Sequence, residues 1–348
     1  MNPDVPPDDA LLYLRRRFGN YDVKEFLNEG YFGLVFQAVD FRTGISVAMK
    51  FLKLNHDRVI LAEFDNENEL LYKLRRKSHV VDWIAHGEGT VPLVSQPHER
   101  TVDIRAPYIV MELAEGCLEE LVVHRERLSW DARLRLFRGV VLGVHQMHLN
   151  KIVHRDLKSS NCLVLRVDRQ PTAKVSDLGR SRDLLIPARQ SAIEYLAGQG
   201  DYRFAPPELL WMQGVDKAVV WQLADLYGLG SILYELATGQ GITAIALGSG
   251  LDRIAEVKNL PPRARKARYE SQTSDLRLRY EDAFDKFRAE LPQGIANYAT
   301  QLVRQLCDPD PARRLPKIVG RPVRVQDGLD WLIRRVDILA KMNKHASQ

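Results

Sequence analysis

The spacing of apolar residues divides the chain into a strand-rich first part and a helix-rich second part. From Tyr21 to Lys53, short β-branched and aromatic runs alternate with turn residues, which is typical of β-strands. A helix is predicted over residues 58–76, because apolar residues recur there at spacings of three, four and seven. Two further strands are predicted around residues 80–85 and 107–113. We therefore expect a β-rich region with one main helix.

After Gly116 the predicted elements are mostly helices. Ser129 is a suitable N-cap for the first long helix, and Gly239 is a suitable end for the second. The predicted helices cover residues 130–147, 222–238, 280–287 and 325–340. This order of elements predicts an α+β protein of two lobes that meet near residues 114–117.

Composition narrows the class of protein. The chain has 348 residues, of which 45% are hydrophobic and 27% charged, so a sizeable core is expected. A net charge of +5, with acidic and basic residues mixed, does not indicate a nucleic-acid-binding face. The three cysteines are far apart and form no CxxC pair, which excludes a disulfide framework and a zinc site and favours a reducing compartment. We expect a cytoplasmic protein without membrane insertion, because no signal peptide or run of about 18 apolar residues is present.

Two weak motifs lie in the strand-rich part. Gly30 and Gly33 could let the backbone approach phosphate oxygens, although two glycines in a hairpin are more often only a turn. Lys50 ends the alternating run that begins at Val47, and it is either a surface lysine or a cation for phosphates. In the second case a carboxylate must fix its direction, and the next helix offers Glu63, Glu67 and Glu69.

A stronger signal lies in the second part. The loop His154–Asn161 places a carboxylate, a cation and an amide close together, and Asp177-Leu178-Gly179 follows after a short strand pair. Phosphoryl transfer needs hard oxygen ligands for Mg²⁺, and Asn161 and Asp177 supply them. It also needs a carboxylate to orient the attacking hydroxyl, which Asp156 supplies. Positive charge for the transferred group is available from Lys50 and Lys158.

These motifs, in this order, resemble those of the eukaryotic-type (Hanks-type) Ser/Thr protein kinases over about residues 21–340. The resemblance implies a bilobal α+β fold with a small β-rich N-lobe, which carries one main helix, and a larger helical C-lobe. It also implies an ATP-dependent kinase acting on protein hydroxyls, with Mg²⁺ as the metal and Mn²⁺ as the alternative. The implied domains are an extension over 1–20, an N-lobe over 21–114, a C-lobe over 115–340 and a tail over 341–348.

The same resemblance assigns roles to individual residues. Lys50 matches the lysine of the third strand, and Glu67 its partner on the helix, with Glu63 one turn earlier as the alternative. Asp156 and Lys158 match the catalytic loop. The nucleotide is expected to contact Asn28, Gly30, Gly33, Val35, Ala48, Lys50, and the backbone of Glu112 and Ala114, with Met111 as the gatekeeper.

Three further motifs in the second part of the chain indicate the class of substrate. Residues 200–208 resemble the end of the activation segment, and Asp225 resembles the aspartate that supports the catalytic loop. Arg314 matches the family arginine that pairs with Glu208. Small-molecule kinases usually lack these features, so protein substrates are implied. Lys158 resembles the Ser/Thr-specific version of the loop.

Two departures leave a pseudokinase scaffold as the alternative function. Asn28 stands where the family has its first loop glycine, and Asp201 where it has threonine. Asp201 could pair with Lys158 or repel Asp156. The chain retains four residues needed for phosphoryl transfer, namely Lys50, Asp156, Asn161 and Asp177, and this argues for an enzyme. The sequence does not indicate the oligomeric state.

Regulation is suggested by two segments. Ser191 and Tyr195 are the favoured sites for phosphorylation, autophosphorylation included, in the activation segment. Residues 239–299 form a longer connection than the family usually has. A solvated loop with a surface helix is favoured there over recruitment of an acidic partner by the basic run in 261–268.

Overall fold

The β-branched and aromatic runs of the first part pair into one six-stranded antiparallel sheet, in the order β1-β2-β3-β4-β6-β5. In this computed structural model the strands are β1 (Arg17–Phe18), β2 (Tyr21–Glu29), β3 (Gly33–Asp40), β4 (Ser46–Leu52), β5 (Trp83–Ser95) and β6 (Arg100–Glu112). The structure describes residues 6–30, 33–54, 58–95, 100–187, 201, 203–213, 217–248, 259–318, 321–322 and 328–346.

The chain divides into two compact units. The N-terminal unit comprises Met1–Glu115 and Asp177–Arg180, and the C-terminal unit comprises Gly116–Ser176 and Ser181–Gln348. The first is β-rich and the second helical, which confirms the predicted α+β class. The predicted bounds of the domains, extension and tail stay predictions.

The hairpin of β5 and β6 is much longer than the two short strands predicted for it. Its strands pair from Trp83 opposite Met111 to Ser95 opposite Arg100. Glycine usually weakens a strand, so the presence of Gly87 and Gly89 led to a prediction of shorter strands. In the structure these glycines make room for aromatic rings. A Cβ at Gly87 would collide with the ring of Tyr108, and one at Gly89 with the ring of Phe18.

Residues before the sheet contribute to the core of the N-terminal unit. The short helix α1 (Asp8–Leu11) is followed by Tyr13, whose side chain is fully buried. The Tyr13 ring lies 4.6 Å from that of Phe51 and 5.5 Å from that of Phe36, measured between centroids. No helix or strand was predicted here, because the contacts of Tyr13 join positions far apart along the chain.

The main helix of this unit, α2 (Arg58–Leu74), carries charged residues on its buried face. Phe64, Leu70 and Leu71 pack inward as their spacing predicted. Glu63 and Glu67 are buried on the same helix. A buried carboxylate needs a partner, so these two residues indicate a polar site against α2.

The C-terminal unit is mainly helical. Its helices are α3 (Leu118–Val123), α4 (Trp130–Leu149), α5 (Pro207–Leu210), α6 (Ala218–Thr238), α7 (Ile242–Leu247), α8 (Pro262–Ala289), α9 (Gln293–Leu306) and α10 (Asp330–Ala346). Its short strands are β7 (Gly116–Cys117), β8 (Ile152–Val153), β9 (Cys162–Val167), β10 (Gln170–Val175), β11 (Arg182–Asp183), β12 (Lys317–Ile318) and β13 (Arg321–Pro322).

Two helix ends follow the capping residues that the sequence predicted. The Ser129 hydroxyl accepts a hydrogen bond from the Ala132 N–H at 3.2 Å and caps α4. Gly239, with φ of 75°, ends α6 in the left-handed conformation that suits glycine. Helix α6 begins earlier than predicted and is buried along most of its length. In the described part of the chain, no helix is both long and apolar enough to cross a membrane.

The described part of segment 239–299 is mostly helical, and its long helix has an exposed polar face, in agreement with the surface helix that the sequence favoured. Helix α8 has 28 residues and contains the basic run. One face of α8 packs into the core, where the Tyr280 hydroxyl lies 2.6 Å from the Tyr227 hydroxyl of α6. Tyr227 also bonds Thr243 of α7 at 2.6 Å. The helix predicted over residues 280–287 is confirmed, with Tyr280, Phe284 and Phe287 buried on its inner face, but it begins much earlier, at Pro262.

Candidate active site

The N-terminal unit positions a buried lysine against two carboxylates. Lys50 lies in β4, opposite Val35 of β3 and Ile109 of β6, and its side chain is only 8% exposed. Its Nζ lies 2.6 Å from Oε2 of Glu67 and 3.4 Å from Oδ1 of Asp177. The sheet thus holds the lysine, and helix α2 supplies its main counter-charge.

The alternative partner, Glu63, has a different role. Its Oε1 lies 3.6 Å from Nε of Arg180, and both side chains are largely buried. Glu63 and Glu67 therefore hold different groups, one turn apart on α2. The structure selects Glu67 as the carboxylate that contacts Lys50.

The electrostatics of this cluster favour a charged lysine. Burial alone would lower the pKa of Lys50, but the carboxylates of Glu67 and Asp177 outweigh it and raise that pKa. A cation kept charged in a buried position suits the binding of phosphate oxygens.

The glycines of the predicted phosphate loop form a tight connection between β2 and β3. The Gly30 N–H donates to the Gly33 carbonyl at 2.8 Å. A Cβ on Gly33 would lie 3.0 Å from Cγ of Lys50 and from the Phe51 carbonyl, so a larger residue would be crowded at this position. Asn28 of β2 is paired with Val35 of β3, and the Oδ1 of Asn28 accepts a hydrogen bond from the Glu29 N–H. Asn28 is not among the residues with positive φ, so the turn does not use its tolerance of that conformation.

The other residues predicted to contact nucleotide lie on β4, β6 and the chain just after β6. Ala48 is buried and lies opposite Met111. The Glu112 N–H donates to the Asp82 carbonyl at 3.1 Å, and its Oε1 accepts from the Asp82 N–H at 2.7 Å. A ligand hydrogen bond to the Glu112 backbone would therefore use the carbonyl oxygen. Ala114 follows in the N-terminal unit.

The C-terminal unit brings three predicted residues of the catalytic loop together. Nζ of Lys158 lies 3.4 Å from Oδ2 of Asp156. Nδ2 of Asn161 donates to the Asp156 carbonyl at 2.8 Å and to its Oδ2 at 3.3 Å. Asp156 is thus fixed by a cation and an amide, which sets the direction of its carboxylate.

A buried aspartate, Asp225, accepts hydrogen bonds from the backbone of this loop. Oδ2 of Asp225, on α6, accepts the His154 N–H at 2.9 Å, and Oδ1 accepts the Arg155 N–H at the same distance. Arg155 has a φ of 72°, a conformation that is costly for a residue other than glycine. His148 of α4 adds a contact from Nε2 to Asp225 at 2.8 Å. The sequence did not indicate His148, since only the packing of α4 on α6 brings it to Asp225.

Each unit offers an oxygen donor of the kind that magnesium prefers, Asn161 in the C-terminal unit and Asp177 in the N-terminal unit. Asn161 uses Nδ2 toward Asp156, so Oδ1 is the atom it would offer to a metal. The Asp177 carboxylate is 35% exposed and offers a second hard oxygen donor. Within the described ranges, no group of three or more His, Cys, Asp or Glu forms a closed metal site. Magnesium commonly uses one or two carboxylates together with substrate phosphates.

Arg203 is the hydrogen-bond partner of Asp201, for which the sequence left open pairing with Lys158 or repulsion of Asp156. Its carboxylate accepts from Nε of Arg203 at 2.8 Å and also bonds Nη2, whereas Lys158 bonds Asp156. Burial alone would raise the pKa of Asp201, but the hydrogen bonds from Arg203 outweigh it and lower that pKa. Arg203 lies two residues on in the chain and also reaches Glu119 at 3.4 Å. The charge of Asp201 is thus compensated locally.

A buried ion pair holds Glu208, which the resemblance places at the end of the activation segment. Nη1 and Nη2 of Arg314 each lie 2.6 Å from a different oxygen of Glu208, and both side chains are almost fully buried. Arg314 also donates to the carbonyls of Leu223 and Asp308. The two predicted sites of phosphorylation, Ser191 and Tyr195, lie outside the described residues.

Glu235 of α6 is expected to make stability depend on pH. Burial raises its pKa from 4.5 to about 7. Between these values the folded protein keeps a proton that the unfolded chain has released, so this group lowers the free energy of unfolding as pH rises. Glu235→Gln should raise that free energy by about 3 kcal/mol at about pH 8 and have little effect at about pH 4. Urea unfolding of wild type and Glu235→Gln at both pH values measures this difference in free energy of unfolding.

The control for this substitution is Glu290→Gln, at an exposed position after α8. It should leave unfolding unchanged at both pH values. Equal stability of wild type and Glu235→Gln at about pH 8 would contradict a carboxyl with a raised pKa at this position.

Comparison with known proteins was consistent with the geometry of both units. The family model described as "Protein kinase domain" matches residues 21–318. A CBL-interacting serine/threonine-protein kinase of Arabidopsis thaliana is 32% identical over 227 residues, which cover 65% of this chain and 47% of the relative. A dual specificity testis-specific protein kinase of Mus musculus is 29% identical over 220 residues, 63% of this chain and 32% of the relative.

A bacterial protein is similar to the same extent. A probable serine/threonine-protein kinase of Bifidobacterium longum is 29% identical over 256 residues, which cover 71% of this chain and 34% of the relative. The chain thus matches about half or less of the length of these relatives.

Proposed function

The chain belongs to the protein kinase family, and we propose that it transfers the γ-phosphoryl group of ATP to Ser and Thr hydroxyls of proteins, itself included. The observation that carries this proposal is the buried ion pair of Lys50 and Glu67, with the Asp177 carboxylate 3.4 Å from the same Nζ. Active protein kinases need the lysine–glutamate pair and the metal-binding aspartate in place together. A surface lysine with a structural role would have no reason to be buried against two carboxylates.

The proposal assigns a task to each residue of the set. Lys50 binds the nucleotide phosphates, and Glu67 fixes the direction of its Nζ. Asp156 accepts the proton of the attacking hydroxyl and orients it, while Lys158 stabilises negative charge on the transferred group. Asn161 and Asp177 hold Mg²⁺, or Mn²⁺ in its place. When bound, the metal neutralises charge on the phosphate oxygens.

The nucleotide contacts are part of the same proposal. Gly30, Gly33 and Asn28 cover the phosphates, and Val35 and Ala48 pack on the adenine. The backbone carbonyl of Glu112 and the backbone of Ala114 bond the adenine edge. This assignment is supported by the limited space around Gly33 and by the Glu112 N–H, which already donates to the Asp82 carbonyl.

The pseudokinase alternative rests on Asn28 and Asp201, and the structure weakens both arguments. Asn28 is an ordinary strand residue. The Asp201 charge is compensated by Arg203, which limits repulsion of Asp156. A scaffold that binds nucleotide without transfer is therefore an outcome of the experiment rather than the preferred function.

The proposal is tested with purified protein, labelled ATP and Mg²⁺, using a generic basic protein as substrate. Lys50→Met should lower the rate of transfer by about 100-fold, because it removes the buried cation. Lys53→Met is the matched control, since that lysine is more exposed and pairs with Glu29. It should keep nearly the full rate.

Acid hydrolysis of the labelled product then identifies the modified residue. Phosphoserine and phosphothreonine are expected, and phosphotyrosine alone would contradict the proposed specificity. Nucleotide binding without any label on either protein would support the scaffold instead.

A further inference from the structure

Helix α2 holds the backbone that follows Asp177 as well as Lys50. Nδ2 of Asn66 donates to the Gly179 carbonyl at 2.8 Å and to the Leu178 carbonyl at 3.3 Å. Its neighbour Glu67 accepts a hydrogen bond from the backbone N–H of Leu178. Both polar backbone groups of Leu178 are therefore bonded to consecutive residues of one helix.

A second contact with α2, made by Arg180, holds the end of the backbone segment 177–180. Arg180 lies 3.6 Å from Glu63, one turn before Glu67 on α2, and its side chain is only 11% exposed. Residues 177–180 belong to the N-terminal unit although their neighbours in the sequence belong to the other unit. These side chains of α2 are thus among the contacts that join the segment to its unit.

The segment needs such support because its backbone is strained. Asp177 has a φ of 58°, in the left-handed region that residues with a side chain rarely adopt. Strained conformations persist when surrounding contacts hold them. Rotation of this backbone would turn the Asp177 carboxylate away from Lys50, from which it is separated by 3.4 Å.

We propose that Asn66 is a positioning residue, which holds the Leu178–Gly179 backbone against α2 and thereby directs the Asp177 carboxylate toward a bound magnesium ion. The inference rests on the proposed kinase function for its kinetic consequence, but not for its effect on metal binding. An amide suits the task because one nitrogen carries two hydrogens and can donate to two carbonyl oxygens. Asparagine at this position also places that nitrogen next to the carboxylate that orients Lys50.

The chain offers a matched control two residues away on the same helix. Asn68 uses its Oδ1 to accept a hydrogen bond from Nε1 of Trp83 at 2.9 Å. Replacement of Asn68 by Asp keeps an acceptor at that position. Asn66→Asp instead removes the donor that both carbonyls need. The two variants share one chemical change and differ in which amide atom the fold uses. Asn66→Leu removes the donor without adding charge.

The first measurement is calorimetric titration of the full chain with ADP at a series of Mg²⁺ concentrations. Asn66→Asp and Asn66→Leu should each need about tenfold more Mg²⁺ for half-maximal binding, as expected for the loss of a hydrogen bond or two. Metal-free ADP affinity should stay unchanged. Asn68→Asp should match wild type in both respects.

The second measurement is the rate of phosphoryl transfer. For both Asn66 variants kcat should fall about tenfold at a fixed Mg²⁺ concentration, KM for the protein substrate should hold, and excess Mg²⁺ should restore part of the rate. A purely structural role would instead lower Tm and metal-free ADP affinity without changing the Mg²⁺ requirement, and that result would overturn the proposal.

The two proposals fail in distinguishable ways. If wild type transfers phosphate and the Asn66 variants keep its Mg²⁺ dependence, Asn66 is not a positioning residue and the kinase function stands. If wild type transfers nothing, the kinase function fails, and the titration with Mg²⁺ and ADP still decides the role of Asn66.

Discussion

Asp156→Asn should lower kcat by as much as about 10⁴-fold while nucleotide binding and folding persist. The substituted amide keeps the size of the side chain but cannot accept the proton of the attacking hydroxyl. It also removes the negative charge that Nζ of Lys158 contacts at 3.4 Å. Single-turnover transfer from labelled ATP, compared with the affinity for Mg²⁺ and ADP, separates the chemical step from binding.

Asp168→Asn is the matched control for this experiment. Asp168 is exposed in the turn between β9 and β10 and has a φ of 50°, which asparagine tolerates well. This variant should keep the wild-type rate. A rate in Asp156→Asn similar to that of wild type would exclude Asp156 as the catalytic carboxylate.

Arg314→Leu should lower the free energy of unfolding of the C-terminal unit by about 3–5 kcal/mol. The substitution leaves the Glu208 carboxylate buried without the guanidinium that bonds both of its oxygens. The carbonyls of Leu223 and Asp308 lose their donor as well. Urea unfolding followed by tryptophan fluorescence measures the change, because Trp221 and Trp211 are buried in this unit.

The neighbouring arginine supplies the control. Arg313 is 61% exposed and lies 3.7 Å from Asp310, so Arg313→Leu should change stability by less than about 1 kcal/mol. Adding Glu208→Gln to Arg314→Leu removes the unpaired charge and should restore part of the loss. No recovery in the double variant would show that the carbonyl contacts of Arg314, and not its ion pair, dominate its contribution.

The fold class and the proximity of the loop residues Asp156, Lys158 and Asn161 could be predicted because both depend on local patterns. Helix α4 begins after Ser129 and α6 ends at Gly239, where the capping residues indicated. Asp156, Lys158 and Asn161 lie within one short loop, so their spacing already brought them together. Their roles in phosphoryl transfer stay predictions until the variants are measured.

Other features were hidden because the sequence shows only neighbours along the chain. The long β5–β6 hairpin includes glycines that usually interrupt a strand, and only the rings of Phe18 and Tyr108 explain them. The hydroxyl of Tyr280 on α8 is hydrogen-bonded to the hydroxyl of Tyr227 on α6, which lies 53 positions earlier. Contacts between distant positions decide which side chains of these segments are buried, and the sequence does not show those contacts.

By itself, the sequence determined the α+β class, the residue types available for phosphate and metal, and the order of the motifs. Tertiary structure decided how these groups are paired. It placed Glu67 on Lys50 and left Glu63 to Arg180, and it paired Asp201 with Arg203 instead of Lys158. The physical reason is that ion pairs form between side chains that the packing of helices and strands brings within a few ångströms. A carboxylate one helical turn away looks equivalent in the sequence and is not equivalent in space.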